Sequence, residues 1–120
     1  MRRRTLPLLA LLAVLPGCLS EGPTTRSYSH ALTVTLDEYF IRPQRLSAPG
    51  GRLQLRVVNH GRLGHTLRIA GRTKVAVAFL SIPPGGSRTR SFHLRPGRYT
   101  MFDAIGNYEE LGMRGSLIVR

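Results

Sequence analysis

The sequence predicts a single all-β domain, a Greek-key β-sandwich or barrel of about seven or eight short strands. Three observations lead to this fold class. From His30 onward, apolar and polar residues alternate in short runs, which is the period of a half-buried strand. Clusters of Pro and Gly separate these runs, and no segment of this region has the apolar periodicity of a helix. A chain of 120 residues has room for one such domain.

The N-terminal segment is predicted to be an export signal followed by a lipid attachment point. Three arginines at 2–4 precede an apolar run over 6–15. This run has the length of a signal-peptide core and is shorter than the roughly 20 residues of a membrane-spanning helix. A Leu-Pro-Gly-Cys motif ends at Cys18 and resembles the lipobox of bacterial lipoproteins, in which the Cys is lipidated after cleavage. Residues 1–17 are therefore the predicted signal peptide, and the polar residues 18–29 follow as the lipidated N-terminus and a tether.

The predicted domain covers residues 30–120, and its first strands follow from alternating apolar positions. The side chains expected to face the core are Leu32, Val34 and Leu36, then Leu46 and Ala48, then Leu53, Leu55 and Val57, and finally His65, Leu67 and Ile69. A Pro-Gly-Gly turn at 49–51 separates the second of these runs from the third. The alternation therefore predicts half-buried strands throughout this part of the chain.

The second half of the domain is predicted mainly from its turns. The strands expected after the turns at 83–86 and 96–97 are 87–94, 99–102 and 117–119. The stretch 75–80 fits either a strand or one helical turn.

The charge of the chain is a formal +12, with 18 Lys and Arg against 6 Asp and Glu, and by itself it suggests an anionic partner. Loss of residues 1–17 would remove three arginines and leave +9. We expect no nucleic-acid partner, because an exported domain does not meet cytoplasmic nucleic acid. The expected partners are the membrane, through the lipid on Cys18, and either an envelope protein or an anionic envelope surface. The expected location is the cell envelope, on the extracytoplasmic side of a bacterial membrane.

Several segments of the domain follow one another in a characteristic order. They are 34–41 with Pro43, 51–59, His65 with the strand that follows it, 84–87, 96–99, and 112–115 with 117–119. Together they resemble the cupredoxin family, the plastocyanin and azurin type of blue-copper domain. The spacing from Asn59 to His65 and the final Gly-Met-x-Gly-x-Leu-x-Val pattern are the most specific parts. The resemblance implies a cupredoxin-like Greek-key sandwich over nearly the whole domain.

The resemblance also implies a copper site, of which this chain lacks a part. Cupredoxins hold copper with one His after the Asn-containing strand and with a Cys-x4-His-x4-Met loop near the C-terminus. Here His65 matches the first His and Met113 the axial Met, whereas Asp103 stands at the Cys position and Tyr108 at the second His position. A blue-copper centre needs a thiolate, and the only Cys of the chain is Cys18. The resemblance therefore implies a domain whose type 1 copper site is lost.

Strand parity places the altered loop relative to His65. Asp103 shares a face with Met101 and is expected to point inward, as is His65 with the apolar residues of its strand. We therefore expect these two side chains to form a hydrogen-bonded pair at one pole without a cofactor, with the Tyr108 hydroxyl as a further partner. The alternative is a non-blue copper site in which these three side chains supply N and O ligands and Met113 a weak sulfur ligand.

These residues favour a non-enzymatic function. No Ser or Cys nucleophile stands at a recognisable spacing, so we expect no enzyme activity. We expect a cell-envelope lipoprotein that acts as a binding or interaction module, and the alternative is a copper-binding or copper-delivery protein. Asp103, Glu109 and Glu110 are a predicted binding patch for a cationic partner, or else solvated loop carboxylates. His60 and His93 are expected to face solvent, and the alternative for His60 is a second imidazole beside His65.

Overall fold

The computed structural model describes residues 22–120. The predicted signal peptide over 1–17 and the predicted lipidation site, Cys18, lie outside these residues. In chain order the elements are β1 (Thr25–Arg26), β2 (Ala31–Asp37), β3 (Phe40–Arg42), β4 (Arg45–Ala48), β5 (Gly51–Asn59), β6 (His65–Ala70), β7 (Val75–Ile82), β8 (Ser87–Leu94), β9 (Gly97–Phe102), α1 (Tyr108–Leu111) and β10 (Arg114–Val119). Within the described range, no helix has the length and hydropathy needed to cross a membrane.

The strands form two sheets that pack face to face. The larger sheet has the strand order β1-β4-β10-β9-β6-β7, and the smaller has the order β3-β2-β5-β8. The parallel neighbours are β1 with β4, β4 with β10, and β2 with β5, and the remaining pairs are antiparallel. The chain passes repeatedly from one sheet to the other, which confirms the predicted all-β sandwich.

The core lies between the two sheets and is built from the alternating apolar residues. Strands β2, β5 and β6 bury every second side chain along their length. Leu36, Leu55, Leu67, Met101 and Leu117 are almost completely buried. Burial of apolar surface is the dominant favourable contribution to folding, so this interior is what holds the strand ends in place at each pole of the sandwich.

The described residues contain ten strands, more than the seven or eight predicted. The strands that alternation does not reveal are β1 and β3, which have two and three residues and are too short to show a period of 2. The ambiguous stretch 75–80 is part of strand β7. Strand β1 lies inside the predicted tether, and the N–H of Ser27 donates to the Ser47 carbonyl at 2.7 Å. The folded domain therefore begins before His30.

Candidate functional site

Strand ends meet at one pole of the sandwich and bring together Glu38, His65 and Asp103. His65 is the first residue of β6, and Asp103 directly follows β9. Because β6 and β9 are antiparallel neighbours, the start of one lies beside the end of the other. Glu38 directly follows β2, which runs parallel to β5. Glu38 therefore emerges beside the loop 60–64 that leads from β5 to His65.

His65 is fully buried, and each of its ring nitrogens contacts a carboxylate. Nδ1 lies 2.8 Å from Asp103 Oδ2, and Nε2 lies 2.8 Å from Glu38 Oε1. The side chains of His65 and Asp103 have no exposed surface, and that of Glu38 is 21% exposed. We call these three residues the clamp. Its His65–Asp103 contact is the one that strand parity predicts.

Glu38 is fixed by the backbone of the neighbouring loop. Its carboxylate accepts the N–H of Arg62 at 3.0 Å and the N–H of Leu63 at 2.9 Å. These backbone hydrogen bonds, with smaller contributions from the hydrogen bond and charge of His65, lower the pKa of Glu38 from 4.5 to about 2. Partial burial opposes the shift but does not outweigh it. Glu38 is therefore an ionised acceptor over nearly the whole pH range.

Asp103 has its own set of donors. Its Oδ1 accepts the Thr66 hydroxyl at 2.7 Å, the N–H of Ile105 at 3.0 Å and, more weakly, the N–H of Thr66 at 3.3 Å. Its Oδ2 faces His65. Asp103 thus ties together the start of β6 and the loop that follows β9, and each of its oxygens has a partner, as burial of a carboxylate requires.

The clamp occupies both ring nitrogens of His65. Glu38 is ionised and cannot donate, so its contact needs an N–H on Nε2. The contact between Nδ1 and Asp103 Oδ2 likewise needs one proton between these two atoms. While both contacts are made, neither nitrogen has a free lone pair to offer a metal ion.

The loop before His65 is shaped by Asn59. This residue is fully buried at the end of β5. Its Nδ2 donates to the carbonyls of Leu63 and Ile82, and its Oδ1 accepts the N–H of Gly61 at 2.8 Å. The Asn59 side chain therefore supplies the hydrogen bonds that these backbone groups do not find within a strand, and it holds the loop against Glu38.

Comparisons with known proteins identify the fold. Neither a protein-family model nor a curated protein matches the sequence. Auracyanin from the photosynthetic bacterium Roseiflexus castenholzii is a similar solved structure, with 20% identity, a TM-score of 0.69, and alignment over 77% of this chain and 98% of that one. Rusticyanin from Thiobacillus ferrooxidans has 18% identity and a TM-score of 0.67 over 82% of this chain and 83% of its own. The domain has a cupredoxin-like fold.

A third similar structure is a copper-containing enzyme. The nitrite reductase from Thermus scotoductus SA-01 has 18% identity and a TM-score of 0.59 over 75% of this chain, but the alignment covers 22% of that enzyme. Identities at this level show the cupredoxin-like fold alone. What the pole of this chain can do therefore depends on its own residues.

Tyr108 and Met113 lie beside the clamp of the cupredoxin-like domain, but not in the way that the sequence predicts. Tyr108 faces His65 with its ring, at a centroid distance of 5.5 Å and an interplanar angle of 59°, and it also contacts Tyr39 at 5.2 Å. The expected hydrogen bond from the Tyr108 hydroxyl is replaced by this ring contact. Met113 is fully buried in the core, and its carbonyl accepts the N–H of Asp103 at 3.2 Å.

The acidic residues of the loop do not form the predicted binding patch. Asp103 is 1% exposed, because its carboxylate turns inward to His65. Glu109 pairs with Arg114 instead of presenting a free charge. Glu110 remains exposed at the surface. The prediction of a joint surface of Asp103, Glu109 and Glu110 is therefore wrong, because it groups the three carboxylates by their proximity in the sequence, whereas the strand parity of Asp103 directs that side chain inward.

The other candidate residues lie where the sequence predicts them. His60 and His93 are exposed, and Met101 is fully buried. The residue that sequence analysis missed is Glu38. It continues the parity of Leu36 in β2, so the reasoning that places Asp103 inward could have placed Glu38 inward as well.

The residues of the pole do not fit a type 1 copper centre. Asp103 stands where the resemblance expects the thiolate, and its carboxylate occupies Nδ1 of His65. Among residues 22–120, no group of three or more His, Cys, Asp or Glu side chains could hold a metal ion. Glu38 and Asp103 lie at opposite nitrogens of one ring, so an ion bound at either nitrogen would be separated from the other carboxylate by the ring.

Proposed function

We propose that the protein is a cell-envelope lipoprotein whose cupredoxin-like domain is a non-enzymatic binding module, with the clamp in place of a type 1 copper centre. The observation that carries this proposal is that carboxylates hold both ring nitrogens of His65. Copper binding to imidazole needs an unprotonated nitrogen. In the clamp, neither nitrogen is available unless a hydrogen bond to Glu38 or Asp103 is broken.

The surface beside the clamp supports a role in binding. Three apolar side chains near the pole, Leu63, Ile105 and Leu111, are 39%, 36% and 49% exposed. The clamp fixes the backbone of two of them, because Glu38 accepts the N–H of Leu63 and Asp103 accepts the N–H of Ile105. A fixed apolar surface loses little conformational entropy when it binds. The pole therefore suits docking of a protein partner.

The surroundings of the clamp support a non-enzymatic role. The hydroxyl group beside it belongs to Thr66, which donates to Asp103 at 2.7 Å and accepts the N–H of Ala104 at 3.1 Å. This hydroxyl therefore both donates and accepts a hydrogen bond, and His65 has no free nitrogen that could take its proton. The arrangement resembles a structural hydrogen-bond network rather than a nucleophile with its base.

A copper titration tests the central part of the proposal. We would add Cu(II) to the chain from Leu19 onward and record calorimetry, electron paramagnetic resonance and visible spectra, with His65→Ala as the control. We expect no intense blue absorption and no binding that depends on His65. Binding that is lost in His65→Ala would instead support the alternative, a copper-binding or copper-delivery protein with a non-blue N and O site. An intense blue band would contradict both.

A cross-linking experiment tests the docking surface. A photoreactive residue would replace Leu63 or Ile105 in cells, and the matched control would carry it at Val75. Val75 is 43% exposed and pairs with Ala70, at the opposite end of β6 from His65. We expect a discrete adduct from the two pole positions only. Equal labelling from Val75 would show that the pole has no particular partner.

The proposed anchor has a separate test. Cys18→Ser should release the protein from the membrane fraction, because lipid attachment needs the thiol. Retention of this variant in membranes would count against lipidation, and it would leave the proposal for the pole unaffected.

A further inference from the structure

The outer face of the larger sheet carries a group of arginines that the proposed function does not use. Leu46, Leu67, Met101 and Leu117 point into the core and are buried, so the residues that alternate with them point outward. The outward arginines of this sheet, here called the arginine face, are Arg26, Arg45, Arg68, Arg98 and Arg114.

The strand register brings members of the arginine face close together. Arg68 and Arg114 pair with the same residue, Phe102, from its two sides. Neighbouring strands lie about 4.8 Å apart, so the backbones of these arginines are about 10 Å apart. A groove over the same face is lined by Gly22, Arg45, Arg98, Thr100, Arg114 and Ser116. Arginines and hydroxyls of this kind are suited to bind phosphate groups.

The N-terminal chain enters the domain at this face. Gly22 lines the groove, and β1 pairs with β4 in the same sheet. Cys18 stands four residues before Gly22. Four residues span at most about 14 Å. A lipid on Cys18 would therefore hold the groove near the headgroup region, where charges act over about 8 Å at physiological salt.

An exposed aromatic residue borders the arginine face. Tyr28 is 78% exposed, and the guanidinium carbons of Arg26 and Arg120 lie 5.4 Å and 5.9 Å from its ring centroid. Tyrosine is enriched at membrane–water interfaces, because its ring is apolar and its hydroxyl is polar. This cluster lies directly after β1, at the end of that strand opposite to Gly22.

We propose that the arginine face lies against the anionic lipid headgroups of the membrane to which the protein is anchored. Arg98 in the groove faces headgroup phosphates, and Tyr28 lies at the interface. Arg114 contributes less, because Glu109 is paired with it. The orientation in the cell rests on the proposed lipidation of Cys18, whereas the affinity of the face for anionic lipid does not.

Vesicle sedimentation tests the face without the lipid anchor. The chain from Leu19 onward, which lacks Cys18 and the predicted signal peptide, would be mixed with vesicles of phosphatidylcholine, with and without phosphatidylglycerol. The test variant adds Arg26→Gln and Arg98→Gln. The matched control adds Arg52→Gln and Arg56→Gln, which alter exposed residues of β5 in the other sheet and lower the charge equally.

We expect binding to the anionic vesicles to be at least about tenfold weaker in the test variant, because each arginine near such a surface contributes about fivefold. The control should bind as the parent does, and added salt should weaken binding of the parent. Equal losses in the two variants would show a general charge effect and overturn the proposal, as would binding that does not depend on phosphatidylglycerol. If Cys18→Ser is released from membranes in cells and either of those results is also obtained, lipidation of Cys18 is supported and binding of the arginine face to anionic lipid is rejected.

Discussion

Replacement of Asp103 with Ala tests whether the clamp stabilises the fold. The substitution removes the acceptor of His65 Nδ1, of the Thr66 hydroxyl and of the Ile105 N–H. His65 is fully buried, so its Nδ1 cannot find water unless the pole opens. The variant therefore leaves a buried donor, and in the imidazolium form a buried charge, without its partner.

The magnitude follows from the exposure of each donor. Loss of one partner of a buried, hydrogen-bonded ion pair costs about 3–5 kcal/mol. Thr66 is half-buried and Ile105 is 36% exposed, so both can exchange the lost bond for water and add little. We expect a loss of about 3–5 kcal/mol out of the roughly 5–15 kcal/mol typical of a small domain. The melting temperature should fall by at least about 10 °C.

Urea unfolding of the chain from Leu19 onward, followed by circular dichroism, measures this loss. Glu109→Ala is the matched control, because it removes a carboxylate of the same loop whose pairing with Arg114 is largely exposed. Such a pair contributes less than about 1 kcal/mol. Asp103→Asn should fall between the two, because it keeps an acceptor oxygen but not the charge. If Asp103→Ala unfolds at the same urea concentration as Glu109→Ala, the clamp does not stabilise the fold.

Three further predictions concern the same pole. Between pH 4.5 and about 2 the unfolded chain binds a proton at Glu38 that the folded chain does not. The free energy of unfolding should therefore decrease as the pH is lowered through this window. In acid titrations followed by circular dichroism, Glu38→Gln should show a weaker dependence on pH. Gly61→Ala should lower the urea midpoint, because its Cβ would clash with the Glu38 carboxylate, whereas Gly64→Ala in the same loop meets nothing closer than 4.0 Å and should unfold like the parent. Asp103→Cys with Tyr108→His should give an intense blue absorption with Cu(II), because it restores the ligand types that the resemblance implies. A colourless double variant would show that the pole cannot accommodate the ion.

Much of the fold can be predicted from the sequence, because one face of each long strand is buried. A period of 2 is visible in strands such as β2, β5 and β6, and it also places His65 and Asp103 inward. Short strands carry no such signal. The two residues of β1 are exposed, and they pair with β4 through backbone groups that any sequence has.

The site is harder to predict, because its contacts depend on topology rather than on spacing. Glu38 lies 27 residues from His65, and the two meet only because β2 and β5 are parallel neighbours. The acidic patch was predicted from proximity in the sequence, but a strand end and a helix start can direct neighbouring carboxylates in opposite directions. Asp103 points to the core, while Glu109 turns to Arg114.

The clamp shows how the buried histidine of a cupredoxin-like pole can find its hydrogen-bond partners among protein side chains. A buried imidazole needs a partner at each ring nitrogen. In the copper site that the resemblance implies, the copper ion would be the partner of one of these nitrogens. When a carboxylate stands at the thiolate position, that nitrogen gains an acceptor, and the second carboxylate, from Glu38, meets the other nitrogen. The loops then have fixed backbones, because both carboxylates also bind backbone N–H groups. The same geometry therefore supports the proposed docking surface over the copper-binding alternative, since an ion at either nitrogen of His65 would have to displace a carboxylate that also holds a loop.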